Sequence, residues 1–238
     1  MKNFDINSTQ LADLAADSVT SRAAEDAALE SHLAALEEEL ATLARSAKPK
    51  DRANLQLQIA RTLVGLERGA DAWESGRPAF DVFLQARDWE SAVDLCDVLF
   101  QSEQEGSLSA LGQGIWLAVT LPIDPELSVT MLNHVVEDTP ADSDGAAVAA
   151  TTALFLVDVR AEGQQKDNLK FFAAQVLGNV ARRHSQVETQ EAFDLWMDRL
   201  ELREPDKFLP RLRNVVDVLV QDDWWFDREA LQAQLPVN

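Results

Sequence analysis

The chain has 238 residues, 46% of them hydrophobic and 26% charged, with a formal net charge of −20. That length buries one large core or two modest ones, and the composition excludes a disordered chain. The negative field repels nucleic-acid phosphates and anionic lipids, and it steers a basic partner inward or simply keeps the protein soluble.

A single cysteine, Cys96, excludes an internal disulfide and a cysteine-based zinc cluster. The opening MKNFDINSTQLADLAADSV has neither a basic n-region nor an apolar h-region and reads as no signal peptide. The longest apolar run, AAVAATTALFLV (146–157), is well short of a membrane span. A soluble cytoplasmic protein with no membrane and no nucleic-acid partner is expected.

Residues 1–20 are polar and weakly patterned and read as a flexible lead-in. Leu29, Leu33, Leu36, Leu40 and Leu43 then recur at spacings of four, three, four and three, a heptad seam on one long helix. The seam lasts about two heptads, short of the three to four that mark a coiled coil. SAKPKD (46–51) interrupts it, because Pro49 cannot continue a helix. A second helix over 52–67 carries Leu55, Ile59, Leu63 and Leu66 on one face. Residues 21–69 therefore read as an N-terminal antiparallel hairpin, with a homodimer through residues 25–45 as the other use of the seam.

Over 70–238 helical patterns alternate with breaks at 101–107, 138–145, 161–167, 203–206 and 220–223. VVDVLV (215–220) comes nearest to strand alternation but lies inside the longer helical pattern FLPRLRNVVDVLV. The expected fold class is all-α, with about nine to eleven helices.

DWESAVDLCDVLF (88–100) places Asp88 and Trp89 at a turn, the small Ala92 next, and Leu95, Cys96 and Leu99 on a packing face. Thirty-six residues later DPELSVTMLNHVVEDTP repeats the scheme, with Ser128 small, Met131, Leu132 and Val135 on the face, and Pro140 closing. QEAFDLWMDRLELREP (190–205) echoes it again through Ala192, Leu195, Trp196 and Pro205. These segments resemble the second helix of a tetratricopeptide (TPR) unit. The preceding helices depart from that pattern, with Phe83 and Val119 at its Tyr position, and 146–182 matches poorly. The resemblance implies antiparallel helical hairpins stacked as a TPR-like or α-solenoid bundle, with a surface for holding another protein.

Signs of catalysis or metal binding are sparse. His134 has a carboxylate at i+4, Asp138, which reads as a solvated helix-end contact. ADSDGA (141–146) fails as a calcium loop, since aligning Gly145 puts Pro140 at the first ligand and Thr151 at the last. It reads as a capped acidic turn. Cys96 reads as a buried structural thiol. LGQGIW (111–116) lacks the Lys and Ser/Thr of a phosphate loop. No enzyme, cofactor or metal is expected.

Seven of the twenty-one Lys and Arg residues fall in 182–213, with Arg199 and Arg203 at i, i+4. Interleaved Asp198, Glu201, Glu204 and Asp206 point to surface ion pairs, and the alternative is a local positive groove. Near the end, Trp224, Trp225 and Phe226 adjoin Asp222, Asp223 and Asp227. On a helix three consecutive residues span about 200°, so at most two would bury against Val215, Val218 and Leu219. The third is then a candidate binding hot spot. Trp224, Trp225, Phe226, Arg199 and Arg203 are thus the candidate partner-binding residues. The expected function is a non-catalytic adaptor or assembly chaperone with a basic protein client. A structural subunit or homo-oligomer, and an acidic DNA mimic, are the alternatives.

Overall fold

The computed structural model describes residues 8–44 and 47–234, with side chains from residue 22 onward. Residues 1–7 of the expected lead-in lie outside that range. The described residues form eleven helices and no strand. α1 (Ser8–Thr42) begins inside the stretch expected as a lead-in. Its run of Ala and Leu favours helix even where no apolar stripe marks it.

Pro49 ends one helix and starts the next. A proline is welcome at the first helical position, where its missing N–H would have no partner anyway. α2 (Pro49–Gly65) therefore begins three residues before the predicted start at residue 52. Leu33 and Leu36 are buried and Leu29, Leu40 and Leu43 half-buried in the α1–α2 joint. Gly65 lies under Leu29, where an added Cβ would stand 3.3 Å from its Cδ1. The leucine seam is packed within the chain.

α3 (Gly69–Ala86) and α4 (Trp89–Gln101) form the next hairpin, followed by α5 (Ser107–Thr120) with α6 (Pro125–Asp138), and α7 (Asp144–Arg160) with α8 (Gly163–Ser185). From α1 to α8 each helix packs against its neighbour in the chain, as in a stacked-hairpin array. Ala92 and Ser128, the expected small positions, are fully buried. The third echo behaves differently, with Ala192 half-buried and Leu195, expected inward, 65% exposed.

Short caps set these boundaries. Asp88 accepts from Ser91 N at 3.4 Å, Asp124 from Glu126 N at 2.8 Å, and Ser143 from Gly145 N at 3.1 Å. The acidic turn at 141–146 is thus a capped helix start. The half-buried Arg160 closes the other end of α5, donating to Ala118 O at 2.6 Å and Val119 O at 2.7 Å.

α9 (Gln190–Arg199) leans on α8, and α10 (Pro205–Val220) turns back to pack across α5 and α7. Those are the first helices of two successive hairpins. Gly112 on α5 permits the crossing: an added Cβ would stand 2.4 Å from Val220 Cγ2 and 3.2 Å from Leu219 Cβ. Two residues on, Gly114 faces the opposite way, and its added Cβ would meet Met131 Cε at 2.4 Å and Cys96 Cβ at 2.7 Å. The two glycines of LGQGIW let α5 be enclosed from both sides. α11 (Arg228–Gln232) ends the described helices.

Candidate partner-binding face

The aromatic triplet lies on a loop between α10 and α11, so the helical limit of two buried residues does not apply. Gln221, with φ 54° and ψ −123°, turns the chain out of α10. This left-handed backbone region favours glycine, and a glutamine there is strained. All three aromatics are half-buried; the ring contacts of Trp225 and Phe226 run to α3 and α5, while the Trp224 ring meets Phe226. Trp225 meets the Phe80 ring edge-on at 5.0 Å and Trp73 at 6.1 Å. Phe226 stands 5.3 Å from Trp116 and 5.8 Å from Trp224. Two guanidiniums cover the outer rings, Arg77 at 3.9 Å from the Trp225 centroid and Arg228 at 3.8 Å from that of Trp224.

Gln113 holds the loop from beneath. Its side chain has no solvent contact, donates to Asp223 O at 2.7 Å and accepts from Trp225 N at 3.4 Å. Ser109 Oγ also donates to Asp223 O, at 3.1 Å. Sequence reasoning missed Gln113 as the residue that holds the aromatic loop. The available signal was a lone amide between two glycines in an otherwise apolar helix.

Arg199 and Arg203 do not share a helix face. α9 ends at Arg199, and Leu202 N bonds back to Met197 O at 3.0 Å while Glu201 takes φ 52°. The buried Leu202 anchors that turn. Arg203 folds back along α9, 2.5 Å from Asp198 Oδ1 and 2.8 Å from Asp194 Oδ1, while Arg199 is exposed. Its neighbour Arg211 bridges elements, donating to Leu200 O at 2.5 Å and Asp144 Oδ2 at 2.9 Å.

The histidines also take other partners than expected. His134 pairs with Asp97 on α4, Nε2 to Oδ1 at 2.6 Å, not with Asp138. His184 lies 3.1 Å from Asp144 Oδ1 and receives the Trp196 Nε1–H at its Nδ1, 3.2 Å away. Cys96 is fully buried on α4, and burial pushes its thiol pKa far up, leaving it a poor nucleophile. Among the described residues no three His, Cys, Asp or Glu side chains are grouped to hold a metal ion.

Two concavities flank α10. One, of about 400 Å³, lies between α5, α10 and α11 and includes Trp116, Leu212, Arg213 and Arg228. The other, also about 400 Å³, is floored by Leu111, Val135, Val215 and Leu219, with Leu108 and Val218 at its edge. Its lining carries one charged side chain, Asp138. No helix among the described residues is long and apolar enough to cross a membrane. No family model matches the chain, and comparison with curated proteins and with solved structures likewise gives no match.

Proposed function

We propose that this chain is a non-catalytic adaptor or assembly chaperone of the cytoplasm that holds a client protein on its helical-hairpin surface. The observation that carries the reading is uncovered aliphatic surface on a packed frame: Leu108 and Val218 are 55% and 71% exposed beside the second groove. Large aliphatic side chains left in water around an apolar floor mark interaction sites. The TPR-like hairpins supply the rigid support, and the charge of −20 favours a basic client. Trp225 and Phe226 then shape the face by pinning the C-terminal segment to α3 and α5, with Trp224 against Phe226.

Affinity purification of the tagged protein from its native cell, followed by mass spectrometry and gel filtration, tests this reading. One heterologous protein retained in stoichiometric amount supports it. Recovery of the chain alone as a defined multimer overturns it in favour of a structural subunit. One observation favours that second reading: Val159 and Phe171, at the α7–α8 end of the array, are 64% and 67% exposed. Light scattering of Phe171→Ser against the unaltered chain decides whether that end joins copies.

A further inference from the structure

We infer that the groove between α5, the α6–α7 turn and α10 takes a basic amphipathic helix of the client. The inference rests on the adaptor reading and gives it an address. Six aliphatic residues make the apolar part: Leu108 and Leu111 from α5, Val135 from α6, and Val215, Val218 and Leu219 from α10. A volume of about 400 Å³ suits a few aliphatic side chains rather than a globular surface.

The one charged side chain of the lining is a carboxylate, and further carboxylates lie on the segments that flank it. At the α6–α7 turn stand Asp138 and Asp142, beside the carbonyl end of α6. The carbonyls of that helix end are already taken, Val136 O by Arg183 at 2.5 Å and Val135 O by Thr139 Oγ1, so the negative charge offered there is that of the two carboxylates. Outside the lining, Ser109 of α5 bonds to Asp223 O at 3.1 Å, next in sequence to the exposed Asp222, and Glu105, two residues before α5, is also exposed. Glu105, Asp138, Asp142 and Asp222 have no ion-pair partner among the described residues, and the groove lining has no Lys or Arg, although Arg183 places its guanidinium on Val136 O, next in sequence to Val135 of the lining. An apolar floor with a carboxylate in its lining, unpaired carboxylates on the flanking segments and no cation in the lining is the complement of a leucine stripe flanked by lysine or arginine.

The described residues offer no strand edge for an extended peptide to join, and the lining is aliphatic where proline-rich ligands use aromatic rings. Helix-in-groove docking, with apolar anchors three and four residues apart, is the mode that fits.

The probe is a fluorescent helical peptide with one leucine stripe on a lysine background, titrated by anisotropy against the full chain. A matched peptide with glutamate replacing lysine is the control. The lysine peptide should bind, weaken with added salt, and outcompete the control by about tenfold or more. The double variant Leu108→Ser, Val218→Ser alters only exposed positions and should weaken binding by about tenfold. Asp138→Lys should weaken it and flatten the salt dependence. Equal binding of both peptides, or unchanged binding by the double variant, overturns the groove. A dimer of the free chain that the double variant dissociates also overturns it, assigning the face to a second copy. Capture from the native cell separates the two levels. If the double variant retains the client, the groove is wrong and the adaptor stands; if the unaltered chain captures no client, the adaptor reading itself falls.

Discussion

Gln113 is an amide without solvent contact whose oxygen and nitrogen are both engaged by the aromatic loop. Replacing it by leucine keeps the bulk and leaves Asp223 O one donor short and Trp225 N–H without its acceptor. These loop groups are exposed or half-buried and Asp223 O keeps Ser109, so the loss is that of ordinary hydrogen bonds, about 0.5–1.5 kcal/mol each. Gln113→Leu should lower the melting temperature and alter tryptophan fluorescence together. A fluorescence spectrum identical to that of the unaltered chain would show that the loop does not depend on this amide. Asp88 is a second residue whose role is local. Burial pushes its carboxyl pKa up, but hydrogen bonds from Lys50 and Ser91 outweigh that and hold it below the ordinary value. A depressed folded-state pKa contributes stability that is fully present above the unfolded value, about 4, and is lost as pH falls through the lower folded-state value. Asp88→Asn keeps the cap but removes the charge, so it should cost less than about 1 kcal/mol at neutral pH, given the half-exposed Lys50, and the deficit should vanish in acid. Asp88→Ala loses the cap as well and should retain a deficit of about 1 kcal/mol there. Denaturant melts at neutral and acidic pH separate the two.

At the scale of the element, the chain's own punctuation made most boundaries legible. Pro49, the SEQEG stretch and Ser143 each carry a cap or stop that acts within a turn, so the breaks at 101–107 and 138–145 match the structure. The break expected over 161–167 shrinks to two residues because α8 already starts at Gly163, and the one before Pro125 was not among the expected breaks. The stop after Arg199 was hidden because Glu201, not glycine, takes the left-handed position. Likewise the path of α10 onto α5 depends on contacts more than a hundred residues apart, which no local period records. The leucine seam was legible as a stripe, and the joint with α2 shows what the stripe meets. Leu36→Ala should therefore cost about 2–5 kcal/mol with no change of mass in light scattering. A concentration-dependent loss of a dimer would assign residues 25–45 to self-association instead. The small positions divide in the same way. Ala92→Leu, at a fully buried crossing, should lose about 1–3 kcal/mol to overpacking. The half-buried Ala192 should accept leucine with little loss, a contrast measurable in one pair of thermal melts.

On the scale of the whole molecule, a plain hairpin array is joined only through nearest neighbours and frays from its ends. Here α10 crosses two first helices and the aromatic loop reaches back to α3, so the C-terminal segment ties α3, α5 and α7 together. The tie depends on close approach at Gly112, and Gly112→Ala tests it because two effects oppose each other there. Helix propensity alone predicts that alanine gains about 1 kcal/mol over glycine in the interior of α5. The added Cβ, however, would stand 2.4 Å from Val220 Cγ2, and Val220 is itself 1% exposed with little room to yield. Overpacking of about 1–3 kcal/mol should therefore win. The variant should melt earlier, and amide exchange should quicken in α10 and the aromatic loop while the α1–α2 joint keeps its protection. If Gly112→Ala instead melts later, propensity has won, α10 rests loosely on α5, and the C-terminal segment does not bind the array into one cooperative unit.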